Sequence, residues 1–243
     1  MEKQFELWMK KGLEEDEMFL SEEQMNRFYQ YYELLIRWNE VMNLTAITEM
    51  EQVVTKHFID SLSLVKIIGN LADINISLID VGTGAGFPGI PLKIAFPKIS
   101  ITLLDSLNKR VKFLDEVIGQ LNLKDIHTVH GRAEDLGRNK DYREKFDLCV
   151  SRAVANLSTL SEYCMPFVKI GGFFISYKSG KIEEELRQAN GALRLLGGKI
   201  DNTVLFKLPK DDGDRCLVQI KKTEPISKKY PRKAGLPGKE PLK

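Results

Sequence analysis

The sequence predicts an α/β fold in which a mostly parallel sheet is wound by helices on both faces, and three observations carry that prediction. Short β-branched or aromatic runs recur at Ile76–Val81, Ile99–Leu104, Ile126–Val129, Phe146–Val150 and Gly172–Tyr177. Helical stretches, notably Lys109–Leu121 and Lys181–Leu196, lie between them, and strands that alternate with helices of that length build parallel sheets. A glycine-rich turn from Gly82 to Gly89 follows the first run directly. Ligands of open parallel sheets sit at such carboxyl ends of strands.

The elements follow in order. Ser21-Glu22-Glu23-Gln24 has the form of a capping box, in which the Ser hydroxyl and the Gln side chain each satisfy an orphan backbone donor. Behind it, Met25, Phe28, Tyr29, Tyr32, Leu35 and Ile36 recur at helical spacing, and Tyr31, Leu34, Trp38 and Val41 make a second stripe. A helix apolar on two sides must be covered on two sides. Residues 21–42 are therefore expected to form a long helix clamped between the other N-terminal helices and the main domain, with its aromatic residues used for packing. More helix follows, broken near Gly69. After the five parallel strands, runs near Thr203–Leu208 and Arg215–Lys221 are joined by "PKDDGD". That is hairpin chemistry, so the last pair is expected to be antiparallel. The expected organisation is an N-terminal helical extension at 1–70, the α/β domain at 71–222 and a basic tail at 223–243.

Length and charge bound the function. The 243 residues, 43% of them hydrophobic, suffice for one large α/β domain with an extension. No run approaches the roughly 20 apolar residues of a membrane span, and the charged N-terminus has no apolar signal region. The three cysteines, Cys149, Cys164 and Cys216, are widely spaced and no C-x-x-C occurs. Neither a disulfide framework nor a metal site is expected, and the cytoplasm is the expected compartment. The net charge of +2 conceals a polarity along the chain. Met1 to Lys56 holds six basic against twelve acidic residues, whereas Lys221 to Lys243 holds eight Lys or Arg against two Glu. Such a tail attracts a polyanion over a Debye length of about 8–10 Å.

The glycine turn reads two ways. Gly82-x-Gly84-x-Gly86 behind Asp80 fits a methyl-donor loop, while Gly84-x-Gly86-x-x-Gly89 fits the dinucleotide fingerprint. Pro88 and Pro91 remove N–H groups that would cradle a pyrophosphate. Asp80 ends the first strand, where a carboxylate repels pyrophosphate but attracts the sulfonium and ammonium of S-adenosyl-L-methionine. Asp105, ending the second strand, accepts ribose hydroxyls in either cofactor. "HGRAED" after the third strand occupies the usual place for adenine contacts. The methyl donor is favoured, and an NAD-linked oxidoreductase remains the alternative cofactor reading.

No acid–base constellation emerges after the fourth strand. Cys149 lies inside it and reads as core, His127 and His130 fall on opposite faces of the third strand, and His57 is a candidate pocket-lining residue. An acceptor with a free lone pair, such as guanine N7, needs alignment and no general base. Arg152 and Lys178, at the ends of the fourth and fifth strands, are candidate catalytic and base- or phosphate-binding residues.

The segments "RWNEVMNLTAIT", "HFIDSL", "DVGTGAGFPGIPLKIAFP", "KRVKFL", "GRAED", "SRAVA" and "KYPRKAGLPGKEPL" together resemble the RsmG (GidB) family of bacterial 16S ribosomal RNA guanine-N7 methyltransferases. The resemblance implies a class I S-adenosylmethionine-dependent methyltransferase fold, with the small ribosomal subunit as substrate. It also implies that Gly82 and Phe87 line the methionine end and that Ala133 and Glu134 contact adenosine. Gly84 belongs to the same donor loop, and Arg152 closes the site near donor and target base. Arg132, Lys178, Lys228, Lys229, Arg232 and Lys233 are the expected RNA-contacting residues. Removal of the chain after Thr223 is expected to weaken RNA engagement and leave donor affinity unchanged. A monomer is expected from the single core. A methyltransferase of a small molecule or protein, and a non-catalytic RNA-binding assembly factor, are the alternative readings.

Overall fold

The computed structural model describes residues 1–152, 155–180 and 182–243. Lys181, which opens the second expected helix, and Ala153 and Val154 of "SRAVA" lie outside the described residues. The extension holds α1 (Lys3–Leu13), α2 (Glu22–Met42) and α3 (Met50–Val53); a π-helical turn at Val54–Ile59 then leads into α4 (Asp60–Leu62) and α5 (Val65–Ile68). The sheet region follows as β1 (Ser77–Val81), α6 (Gly89–Ala95), β2 (Ser100–Asp105), α7 (Asn108–Gln120), β3 (Ile126–His130), α8 (Ala133–Leu136), β4 (Phe146–Ser151) and α9 (Leu157–Cys164). It ends with β5 (Val168–Ser179), α10 (Glu183–Leu195), β6 (Gly198–Lys207), β7 (Asp214–Lys222) and a short α11 (Leu236–Lys239).

The strand order is β3-β2-β1-β4-β5-β7-β6, with β1 to β5 parallel and β7 antiparallel to both its neighbours. The order reverses between β1 and β4, which puts the glycine turn at the switch point where open sheets hold ligands. Register then gathers the strand ends. Val81 pairs with Leu104 and Asp80 with Val150, so Asp80 in β1, Asp105 at the end of β2 and Arg152 just past β4 lie together at the carboxyl ends of three adjacent strands.

Alternation along each strand feeds two cores. Leu78, Leu103, Leu148 and Leu217 face the extension, in one apolar cluster that also holds Phe5, Phe28, Tyr31 and Phe58. Ile79, Val81, Leu104, Cys149 and Phe174 face the other side, where α9, α10 and the tail residues Ile226 and Tyr230 cover them. The capping box forms as expected, with Ser21 Oγ accepting from Gln24 N–H and Gln24 Oε1 accepting from Ser21 N–H. The Gln24 amide also donates to the carbonyls of Ile94 and Ala95 at the end of α6, so this cap pins α2 to the sheet region. Trp38 packs on Phe113 of α7, and Phe5 of α1 on Tyr29 and Tyr32. The second stripe is shorter than its spacing implies: Val41 is 79% exposed, because it lies in the last turn of α2, past the residues that α1 and α7 cover.

Candidate functional site

The turn after β1 is held by its own backbone and by two aspartates. Gly82 N–H and Thr83 N–H both donate to the Leu104 carbonyl, tying the turn to β2. Asp80 is fully buried beneath it, and Asp80 Oδ2 accepts from Thr83 Oγ1 at 2.6 Å and from Gly89 N–H at 2.9 Å. Asp80 Oδ1 is buried without a hydrogen-bond partner, and burial pushes the carboxyl up from 3.8 to about 6. Asp80, expected to attract a cationic ligand directly or through water, lies behind the turn and clamps it through Oδ2. Gly82 has φ +73° and a Cβ there would meet nothing within 4 Å, because the residue faces a cavity. Gly86 has φ +97° and passes so close to α2 that a Cβ would stand 2.7 Å from the Tyr31 hydroxyl. That hydroxyl donates to the Ala85 carbonyl, so the extension braces the turn from outside.

The cavity beside Gly82 measures about 420 Å³ and is bordered by Asp105, Ser106, Gly131, Ala133, Glu134, Ser151, Tyr163 and Gly235. Asp105 holds its position through Gly84 N–H on Oδ2 and Leu107 N–H on Oδ1, both at 2.9 Å. Oδ2 also meets Arg110 Nη1 at 3.4 Å, so Oδ1 is the oxygen that keeps a second lone pair for a hydroxyl donor. Of the expected donor-binding residues, Gly82, Asp105, Ala133 and Glu134 thus border one cavity. Gly84 acts through its N–H on Asp105, and Phe87 lies elsewhere, under Arg152.

A second cavity of about 790 Å³ adjoins the first at Ala155 and is lined by Lys56, His57, Asp60, Arg152, Tyr177, Lys178, Glu185 and Arg215. Arg152 is its centre. The guanidinium lies 5.0 Å from the Phe87 ring, donates to Asp60 Oδ2 at 2.7 Å and to the Lys56 carbonyl at 3.1 Å, and reaches His57 Nδ1 at 3.3 Å. The π-helical turn supplies that carbonyl. His57 stacks on Phe87 with ring centroids 4.5 Å apart. Burial and the neighbouring Arg152 charge push its imidazole down to about 3, so it is neutral at physiological pH. With Nδ1 accepting from Arg152, Nε2–H must donate to Thr45 Oγ1 at 2.8 Å. His57 does line the pocket, but as a fixed acceptor for Arg152.

Two expected RNA contacts are engaged inside the fold. Lys178 is nearly buried, with Nζ 2.6 Å from the Ala155 carbonyl and 2.5 Å from Glu185 Oε1. Glu185 also accepts from Leu157 N–H, so the pair fastens the chain that leaves β4. Arg232 grips Glu162, with Nη2 to Oε2 at 2.7 Å and Nε to Oε1 at 2.9 Å. Lys178 and Arg232 are therefore corrected from free phosphate binders to members of ion pairs. Arg132, Lys228, Lys229 and Lys233 are exposed. The tail is not a loose arm: Ile226 and Tyr230 are buried, and Gly235 N–H donates to Glu134 Oε1 at 2.7 Å. Removal after Thr223, expected to leave donor affinity unchanged, would take away Gly235, which borders the cavity beside Gly82.

Sequence reasoning missed Asp60, Tyr31, Arg215 and Gly235. Asp60 takes Arg152 on one oxygen and lies 3.5 Å from Arg215 Nε on the other. "HFIDSL" places His57 and Asp60 nearly one helical turn apart, and that was the available signal. His127 bonds Thr102 and His130 the Ser106 carbonyl, and the two do not meet. Cys149 is buried in the core beside Cys164. Among the described residues, no group of three or more His, Cys, Asp or Glu is placed to hold a metal ion. No described helix is long and apolar enough to cross a membrane.

Comparison with known proteins agrees with this geometry. Residues 24–213 match the GidB family, rRNA small subunit methyltransferase G. The Ribosomal RNA small subunit methyltransferase G of Lachnoclostridium phytofermentans is 55% identical over 95% of both chains. The protein of the same name from Staphylococcus carnosus is 48% identical over 97% of this chain and 98% of its own. Among solved structures, M. jannaschii TYW2 in complex with AdoMet superposes with a TM-score of 0.52 at 15% identity, over 67% of this chain and 76% of that one. TrmN from Thermus thermophilus gives 0.51 at 15%, over 68% and 48%. At these identities the structures speak for the fold alone.

Proposed function

The chain belongs to the rRNA small subunit methyltransferase G family, and on that premise we propose that it transfers a methyl group from S-adenosyl-L-methionine to N7 of a guanine in 16S rRNA. The observation that carries the reading is the adjacency of two cavities at Ala155, one bordered by Gly82, Asp105 and Ala133, the other centred on Arg152. The first fits the donor. Its volume of about 420 Å³ lies within the roughly 300–1,000 Å³ of ligand pockets. A Cβ at Gly82 would project into it, and the buried Asp80 carboxylate behind the turn biases it towards a cation.

Bound S-adenosylmethionine supplies an electrophilic methyl group on a sulfonium. Asp105 would accept a ribose hydroxyl on Oδ1, the small Ala133 would leave room for the adenine, and Gly82 would let the backbone approach the methionine end. Guanine N7 carries a free lone pair and no proton, so alignment replaces a general base. The neutral His57 has its Nδ1 occupied by Arg152, which leaves it no proton-accepting site towards a substrate. Arg152 presents a positive charge to the second cavity, suited to a base edge or a phosphate. The exposed Arg132, Lys228, Lys229 and Lys233 carry RNA contact, while Lys178 and Arg232 act through the ion pairs they make. In this reading residues 1–70 brace the donor turn and shape the acceptor cavity, 71–222 bind the donor, and 223–243 span both tasks. The protein works in the cytoplasm as a monomer on the small ribosomal subunit.

The test is transfer of labelled methyl groups to small subunits from cells lacking this modification. Wild-type protein is expected to label 16S rRNA, and Gly82→Asp, which projects a carboxylate into the donor cavity, is expected to lose donor binding and labelling together. Calorimetric donor affinity retained by Gly82→Asp would overturn the cavity assignment.

A further inference from the structure

The tail crosses the sheet on the face opposite the extension, and its attachments fall into two sets. Up to Tyr230 the attachments are structural. Ile226 and Tyr230 complete the second core, and Arg143 donates to the carbonyls of Gly137, Ile226, Ser227 and Tyr230. Beyond Tyr230 the contacts converge on the donor cavity. Arg232 forks onto Glu162, and the Arg232 backbone N–H adds a third bond to Glu162 Oε1 at 2.7 Å. Glu162 is 0% exposed. Three residues on, Gly235 borders the donor cavity, with φ +80° and its N–H on Glu134 Oε1. Thr159 on α9 then bonds the Pro237 carbonyl at 3.1 Å. Tyr163, the neighbour of Glu162 on α9, borders the same cavity.

A fully buried carboxylate is a poor way to gain stability, since an apolar pair of similar volume does as well or better. What the pair gives is a fixed geometry for the residues that follow it, because a two-pronged Arg–carboxylate contact sets orientation as well as distance. Glu134 and Ala133 are where the adenosine end of the donor is expected to lie.

We propose that residues 232–239 form a strap that is part of the donor site. Arg232 is its positioning residue: through Glu162 it holds Gly235 against Glu134 and so closes the donor cavity over the adenosine end. The proposal rests on the reading that the donor occupies this cavity. It assigns the strap to donor affinity, separately from any contact its exposed lysines make with RNA.

The test titrates S-adenosylhomocysteine into the full chain and two variants by calorimetry. The first variant ends at Lys233, keeping Ile226, Tyr230 and the Arg232–Glu162 fork while removing Gly235. The second is the double substitution Arg232→Leu with Glu162→Leu, which releases the strap without leaving a buried charge unpaired. Both are expected to weaken binding by about tenfold or more. In methyl transfer to small subunits, the donor KM is expected to rise by a similar factor while kcat at saturating donor stays within about threefold. A merely structural role would lower the folded fraction and kcat without moving the affinity of the folded molecules. Unchanged affinity in either folded variant overturns the strap, and Gly82→Asp in the same titration separates the two readings, since its loss of binding keeps the cavity assignment. No binding by the unaltered chain overturns the cavity assignment, and the strap with it.

Discussion

At the scale of single residues, electrostatics separates groups that hold the site from groups that face its ligands. Asp80 looks in sequence like a ligand for a cationic cofactor, yet its Oδ2 is spent on Thr83 and Gly89 and its Oδ1 is buried behind the turn. No spacing rule distinguishes those uses, because both put a carboxylate at the end of a strand. The burial has a measurable consequence. Asp80 titrates at about 6 in the fold against an ordinary 3.8, so the folded state binds the proton more tightly. Its contribution to stability is therefore full below about pH 4 and is lost as pH rises through about 6, a swing of about 3 kcal/mol. His57 works with the opposite sign: at about 3 in the fold against 6.5, it adds stability as pH rises from about 3 to 6.5. The Asp80 effect is isolated by comparison with Asp80→Asn in urea unfolding at pH 4 to 7.5. The wild type is expected to lose stability relative to the variant across that range. A difference between the two that does not change with pH would show that Asp80 keeps an ordinary carboxyl.

At the scale of elements, the parts legible in sequence were those whose signals are local. The capping box at Ser21–Gln24 needs only four adjacent residues, and it marks the start of α2 to within one residue. The five parallel strands and the closing hairpin fall where their apolar runs and turn residues put them. The ends of elements were less legible: β5 begins at Val168, ahead of the run at Gly172, because pairing with β4 extends it. The π-helical turn at Val54–Ile59 had no signal at all. Yet it brings Phe58, His57 and the carbonyl of Lys56 to three different tasks, with Phe58 packed among Phe5, Phe28 and Tyr31. Phe58→Ala is expected to cost about 3–5 kcal/mol. Because Phe58 belongs to the cluster that includes Leu103 and Leu217, that loss is expected in a single cooperative urea transition followed by both far-ultraviolet dichroism and tryptophan fluorescence. Two separate transitions would show that the extension folds on its own.

At the scale of the whole molecule, the site is assembled from all three parts of the chain. The extension supplies Tyr31, His57 and Asp60, the sheet supplies Gly82, Asp105 and Arg152, and the tail supplies Gly235. The sheet's share was legible because strand ends and glycines announce themselves. The tail's share was not, since its basic residues and prolines read as an arm for RNA, and the partners that fix it are far away in sequence. Glu162 lies 70 residues from Arg232 and Glu134 lies 101 from Gly235. Position along the sequence therefore misleads for Lys178 as well, whose place at the mouth of the sheet is real but whose charge is matched by Glu185.

In the proposed reaction the acceptor base lies beside Arg152 and no general base takes part. The measurement that tests it most directly is borohydride–aniline cleavage of 16S rRNA after incubating unmodified small subunits with S-adenosylmethionine and the protein. One new cleavage site, marking N7-methylguanine, is predicted for the wild type. Arg152→Lys, which keeps the charge but loses the two-pronged contact of Nη1 with Asp60 and Nη2 with His57, is predicted to form it about a hundredfold more slowly with donor affinity unchanged. Donor binding without any new cleavage, or cleavage at full rate in Arg152→Lys, would contradict the account.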